Sequence, residues 1–243
     1  MASGTVTELW RFPVKSMRGE PVDALRVDSR GAGGDRTHAV WDGPKRLTAR
    51  EAKGLLAWSA SYDATGAELD PADPPPARVT APDGRSFEWG EPGLAEALAA
   101  DLGRPSVQLR RDSAGQQDLA ESLLVTTQAT LRALEEELGA PVDPRRFRAN
   151  LHLDLDAAAW QELGWEGGRM TFSGGVVLDL LHPCERCVIP TLDPDTREKW
   201  PGLLRHLARA HETLLGVNAR VEIPGTLRLG ERVVVDPPSW SAP

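Results

Sequence analysis

The sequence predicts a mainly β protein with a few helices, an α+β chain built from β-barrel-like domains. Three observations predict it. Short stretches that alternate apolar and polar residues, or that are rich in β-branched and aromatic side chains, recur along the chain. Helical repeats are few and do not alternate regularly with the strands, as a parallel α/β fold requires. The length of 243 residues, 40% of them hydrophobic, suffices for one large domain or two small ones with a real core.

Residues 5–12 (TVTELWRF) read as the first strand, ended by Pro13. Residues 21–28 alternate as a second, and 38–41 form a short third. Thr48 and Glu51 have capping-box spacing and predict a helix over 49–58. Pro71, Pro74, Pro75 and Pro76 remove too many amide donors for regular structure and mark a surface loop. A hairpin turns at Asp83-Gly84, with Val79 and Phe87 on its arms. Leu94, Leu98 and Leu102 share one face of a helix over 92–102, which Gly103 stops. The polar stretch 111–118 (RDSAGQQD) is the candidate domain boundary, giving domains of 1–115 and 116–243.

Beyond it, Leu123–Thr126 reads as a strand running into a helix over 128–138, with Leu131, Leu134 and Leu138 at helical spacing before Gly139 and Pro141. Further strands are expected at 151–155, 169–173, 176–181, 219–223 and 231–235. A helix is expected near 197–214, its core face supplied by Trp200, Leu203, Leu204, Leu207 and Leu214.

Net charge is −8, with an isoelectric point near 5.2. That disfavours nucleic acid and an anionic membrane surface as partners, because both need a basic face. No apolar run reaches the length of a membrane span, and MASGTVTELW has no secretory pattern, so a cytoplasmic location is expected. Cys184 and Cys187 are the only cysteines, too few for a disulfide scaffold or a four-cysteine cluster.

Four short segments carry candidate chemistry. His182-Pro-Cys-Glu-Arg-Cys187 follows an apolar strand, and cationic neighbours favour the thiolate that serves as nucleophile or metal ligand. Two small, partly buried thiols are the plainer alternative. A thioredoxin-like pair is disfavoured, since Pro190 breaks the helix it would need. Pro144-Arg-Arg-Phe-Arg-Ala-Asn150 places three arginines in an acidic chain, either an anion site or a solvated turn. Pro13-Val-Lys-Ser-Met-Arg18 offers a lysine and a hydroxyl to a phosphate but lacks the glycines of a Walker loop. Gly33-Gly-Asp-Arg36 is a tight turn whose arginine reaches into a cleft or pairs at the surface.

In order along the chain these segments resemble the MOSC family of molybdenum-cofactor-binding proteins, with its N-terminal β-barrel domain. The matching residues are Leu9-Trp-Arg-Phe-Pro-Val-Lys-Ser16, Gly34-Asp-Arg36, Leu47-Thr-Ala-Arg50, Arg146-Phe-Arg-Ala-Asn150, Pro183-Cys-Glu-Arg-Cys187, Asp193-Pro-Asp-Thr196 and Pro224-Gly-Thr-Leu-Arg-Leu-Gly230. The layout is similar to the amidoxime-reducing branch, which reduces N-hydroxylated compounds. The resemblance implies an MOSC N-terminal barrel and an MOSC barrel with a molybdenum cofactor in the cleft between them. It implies Cys184 as metal ligand and catalytic residue, and Lys15, Ser16, Arg36, Thr127, Arg148 and Asn150 as cofactor contacts. Cys187, followed by Val188 and Ile189, is expected to pack in the core.

The chain departs from the family pattern at Ala149, Glu121-Ser122 and Arg197, where proline, Ser-Pro and glycine are common. With no cysteines left for a cluster, electrons are expected from a separate ferredoxin, flavoprotein or cytochrome, and the substrate is a small molecule. The alternative is a sulfur-carrier or cofactor-maturation module without turnover. A link to pyridoxal phosphate would come from kinship with cofactor sulfurases and has no residue basis here.

Overall fold

The computed structural model describes residues 1–63, 67, 69–112 and 123–238. Its first strands are β1 (Ala2–Arg11), β2 (Glu20–Pro21), β3 (Ala24–Asp28), β4 (Gly31–Ala32), β5 (His38–Asp42) and β6 (Lys45–Arg46). Next come β7 (Ser59–Ser61), β8 (Arg78–Thr80), β9 (Ser86–Glu88), helix α1 (Pro92–Leu102) and β10 (Val107–Arg111). Then follow β11 (Leu123–Thr127), α2 (Gln128–Leu138), β12 (Leu151–Leu155), β13 (Arg169–Phe172) and β14 (Val177–Glu185). The last are α3 (Pro201–Ala210), β15 (Leu214–Ile223), β16 (Gly225–Arg228) and β17 (Arg232–Asp236).

Seven strands close into a barrel in the order β12-β11-β15-β14-β13-β17-β1, because β1 pairs with both β17 and β12. Only the β11–β12 pair is parallel among these. Closure depends on Gly4, which faces Leu155 and Val233; a Cβ there would stand 1.9 Å from the Asp154 carbonyl oxygen. Val6, Leu153, Leu178, Val217 and Val235 fill the interior, and the β16-β3-β4 sheet adds Leu25, Val27 and Leu227 to the same core.

A second core lies within residues 14–109. Leu94 and Leu98 of α1 pack there with Val40 of the β10-β5-β6 sheet, Val79 of the β7-β8-β9 sheet, and Leu55 and Trp58 from the short turn before β7. A third joins α2 to α3 through Leu131, Leu134, Leu203 and Leu207. The barrel draws strands from both sides of residue 115: β1 belongs to it, and β3 and β4 pack on it. Residues 113–118 of the expected boundary lie outside the described residues.

Helices α1 and α2 have the bounds their leucine spacing predicts, and each ends on a left-handed glycine, Gly103 and Gly139. Two expectations are corrected. Thr48 and Glu51 do form their side-chain bond, at 2.6 Å, but only a 3-10 turn follows, over Lys53–Ala57. Leu55, Leu56 and Ala57 are buried in succession, a pattern that suits an embedded turn rather than a one-faced helix. The helix near 197–214 is confined to Pro201–Ala210. Pro201 occupies its first turn, and Glu212 and Thr213 are both left-handed, so the chain reverses and Leu214 opens β15. Among the described residues no helix is long and apolar enough to cross a membrane.

Candidate functional site

A cleft of about 620 Å³ is lined by residues from several separate segments, four of which bring together Lys15, Ser16, Arg36, Arg148, Asn150 and Cys184. The first segment is the turn after β1. The Lys15 amide donates to the His38 carbonyl at 2.9 Å, and buried Val14 and Met17 anchor the turn on either side. Ser16 between them is left-handed, with φ 69°, and its Oγ accepts the Ala49 amide at 3.0 Å.

The Gly34-Asp-Arg36 turn is the second segment. Asp35 is fully buried; one carboxylate oxygen accepts the Phe12 amide at 2.7 Å and the other pairs with Arg36 Nη1. Gly34 has φ 77° and lies against the Tyr62 ring, which a Cβ would meet at 2.7 Å. Arg36, left-handed itself, is thereby aimed at the third segment: Nη2 donates to the Arg148 carbonyl at 3.1 Å and Nη1 to Asn150 Oδ1 at 3.3 Å.

That third segment is a 3-10 turn over Pro144–Phe147, capped by Asp143, which leaves Arg148 left-handed at its end. Arg148 lies 4.3 Å over the Phe12 ring and donates to the Met17 carbonyl at 2.7 Å. Asn150 is fully buried; it accepts from the Leu124 amide and donates to the Trp10 carbonyl, so it organises the cleft wall. Ser16, Arg36 and Arg148 are three of the seven left-handed residues other than glycine among those described. Such conformations persist where surrounding contacts over-determine them, and they gather at functional sites.

The end of β14 contributes the fourth. Cys184 is a half-buried free thiol whose Sγ takes a 3.0 Å contact from Arg186 Nη1. The other terminal nitrogen of Arg186 donates to the Phe147 carbonyl at 2.7 Å, which ties the thiol to the arginine-rich turn. Expectation placed Cys184 just beyond its strand; instead β14 runs to Glu185, with register shifts around Pro183 that turn the strand end into the cleft.

Two sequence expectations need correction. Cys187 does not pack in the core: it is half-buried and lines the same cleft as Cys184. Thr127 is not among the residues lining the cleft. It is buried, and its Oγ accepts the Thr130 amide at 3.3 Å to cap α2, beside the buried Glu162 carboxylate. The three arginines of residues 144–150 do not act alike. Arg145 pairs with Asp143 and Asp195 and Arg146 with Asp193, so the Asp193-Pro-Asp-Thr196 turn docks on them. Backbone amides, with that of Thr196 foremost, hold the Asp193 carboxyl below its ordinary range. Asp195 also reaches Arg18 at 3.6 Å, so the turn meets the Pro13–Arg18 segment too.

Arg46 and Arg50 also line the cleft; Arg50 ends the Leu47-Thr-Ala-Arg50 segment and Arg46 directly precedes it. The lining cations are Lys15, Arg36, Arg46, Arg50, Arg146, Arg148 and Arg186, against the carboxylates Glu51 and Glu185. The site is locally basic in a chain of charge −8. A smaller recess of about 380 Å³, bounded by Trp10, Phe12, Arg18 and Leu192, shares Leu56, Arg146, Arg148 and Ile189 with it.

Residues 111–234 match the MOSC domain, and residues 3–88 match the MOSC N-terminal beta barrel domain. The chain belongs to the MOSC domain family. A molybdenum cofactor sulfurase of Drosophila yakuba is 30% identical over an alignment of 129 residues, which covers 48% of this chain and 16% of that protein. This chain therefore corresponds to a small part of the sulfurase. The crystal structure of the YuaD protein from Bacillus subtilis shares the fold, with a TM-score of 0.52 and 16% identity over 97% of both chains. YiiM from Geobacillus stearothermophilus is less similar, with a TM-score of 0.40 and 16% identity over 50% of this chain and 57% of that one. MOSC domains are associated with the molybdenum cofactor at the level of the family.

Proposed function

We propose that the cleft binds a molybdenum cofactor and that the protein reduces N-hydroxylated or N-oxide small molecules with electrons from a separate donor protein. One observation carries this reading: a half-buried thiol at Cys184 shares a cleft with the cations Lys15, Arg36 and Arg148. The donor set fits the group. A soft sulfur ligand suits molybdenum, a cationic patch suits a pterin phosphate, and about 620 Å³ lies within the range of small-molecule sites.

Cys184 would hold the metal, and Arg186 both fixes the direction of Sγ and sets a positive charge beside it. Lys15, Arg36 and Arg148 would hold the phosphate. The Ser16 hydroxyl already accepts from Ala49, so its proton is directed elsewhere and can be donated to a phosphate oxygen. Asn150 positions Arg36 and the two backbones it bridges. When bound, the cofactor supplies two-electron oxygen-atom removal. The buried lining residues Leu123, Phe147 and Asn150 exclude water from one side of the site.

The test is production in a host that synthesises the cofactor, followed by molybdenum and pterin analysis and an amidoxime-reduction assay with a chemical electron donor. Stoichiometric cofactor and turnover support the reading; absence of both refutes it. The sulfurase similarity favours a second reading, in which Cys184 carries sulfur or presents the cofactor for maturation. Tight cofactor binding without reduction of any N-hydroxylated substrate would select it.

A further inference from the structure

Away from the cleft, three side chains from separate parts of the chain converge on one point. Glu137 lies in the last turn of α2, His206 within α3, and His211 at its C-terminal end. Both imidazoles aim the same nitrogen at the same oxygen: His206 Nε2 stands 2.6 Å and His211 Nε2 2.7 Å from Glu137 Oε2. All three potential ligand atoms lie within 4.8 Å of one another. Among the described residues this is the sole group of three or more such side chains so disposed.

The arrangement is built rather than casual. The second carboxylate oxygen of Glu137 is occupied by the Trp160 indole N–H at 3.1 Å, which leaves Oε2 facing the histidines. The same indole stacks on His211, with ring centroids 3.4 Å apart and planes 16° from parallel, and so fixes that imidazole. Trp160 itself is left-handed, with φ 64°. Directly after His211, Glu212 and Thr213 are left-handed in succession, and this reversal leads the chain from the end of α3 into β15. Three of the seven left-handed residues other than glycine thus frame this cluster, as three others line the cleft.

We propose that Glu137, His206 and His211 form a site for a divalent cation of the zinc class, separate from the cofactor cleft. Two imidazoles and a carboxylate are a ligand set that zinc, cobalt and nickel favour, whereas calcium and magnesium need mostly oxygen ligands. A zinc ion takes imidazole nitrogen and carboxylate oxygen at about 2.1 Å, so tetrahedral ligand atoms stand about 3.4 Å apart. The present separations of 2.6 and 2.7 Å from Oε2 need to open by less than about 1 Å. Binding moves each imidazole proton to Nδ1 or to solvent and replaces two converging N–H groups by one cation. The histidines are half-buried and Glu137 is exposed, which leaves the remaining coordination positions open to water or an anionic ligand. The ion would pin α3 to α2, whose other joint is the leucine cluster of Leu131, Leu134, Leu203 and Leu207.

Titration of the purified 243-residue protein with Co²⁺ alone, read by visible absorption and checked with Zn²⁺ competition, tests this. The wild type is expected to take up a stoichiometric ion with the d–d bands of a nitrogen–oxygen site and no thiolate charge-transfer band. His206→Gln and Glu137→Ala should lose that uptake while circular dichroism shows the native fold. Trp160→Phe, which leaves a smaller aromatic ring and removes the N–H, should weaken binding about 10-fold or more. A Cys184→Ser/Cys187→Ser protein should bind as the wild type does. Undiminished uptake in His206→Gln and Glu137→Ala, loss of uptake in the double cysteine variant, or no uptake by the wild type would each overturn the proposal.

Discussion

The arginines of residues 144–150 divide by what they touch, and substitution should separate them. Arg146 is 9% exposed and pairs at 2.8 Å with Asp193, which is 28% exposed. Breaking a fully buried pair costs about 3–5 kcal/mol and an exposed one about 0.2–1. The intermediate burial places Arg146→Ala at about 2 kcal/mol. In a chain of this size each kcal/mol shifts the melting temperature by roughly 2–4 °C, so a fall of about 4–8 °C is expected. Arg145, more exposed at 37% and paired with a half-exposed Asp195, should cost no more than about 1 kcal/mol. Arg146 and Arg148 both line the cleft, but Arg146 is engaged by Asp193, whereas Arg148 donates to the Met17 carbonyl and stacks on Phe12. Arg148→Ala should therefore lose cofactor with a smaller fall in melting temperature than Arg146→Ala, which should retain it. Thermal melts and pterin content of the variants decide the matter. Cofactor loss in Arg146→Ala with retention in Arg148→Ala would refute the division.

Three further outcomes are expected. Cys187→Ser should keep the molybdenum and change stability by only about 1 kcal/mol, because its thiol is half-buried and Arg186 reaches the other sulfur; metal analysis and melting check both. Burial lowers the His38 pKa to about 4 from 6.5, so His38 stabilises the fold above pH 6.5 and this is lost as pH falls through 4. The loss is on the order of 3 kcal/mol, and denaturant titrations of wild type and His38→Gln across that range should converge as pH falls. Burial raises the Glu162 pKa, so its contribution is complete below about pH 4.5 and is lost as pH rises through the folded value. Glu162→Gln should accordingly gain stability relative to the wild type with rising pH, and a difference independent of pH would contradict this.

Much of this arrangement was legible in the residues. Leucines at helical spacing followed by glycine located α1 and α2, because local burial and a left-handed cap suffice to define them. The order of short motifs placed Lys15, Ser16, Arg36, Arg148, Asn150 and Cys184 together, and the cleft contains all six. What escaped depends on distant partners. Barrel closure rests on Gly4 meeting a backbone about 150 residues away, which no local pattern of β1 announces. The pairing of Arg145 and Arg146 with Asp195 and Asp193 made two-thirds of an apparent anion site structural. Thr127 has the residue type and the helix-start position of a phosphate contact, but its hydroxyl is turned inward to cap α2. The Glu137, His206 and His211 cluster spans two helices and shows no ligand spacing in the sequence.

The most direct test of the central claim is molybdenum content, measured side by side for wild type and Cys184→Ser produced together with cofactor synthesis. Stoichiometric molybdenum in the wild type and its loss from a folded Cys184→Ser protein are the predicted results. Equal molybdenum in both proteins, or none in either, would contradict the assignment of Cys184 as the metal ligand.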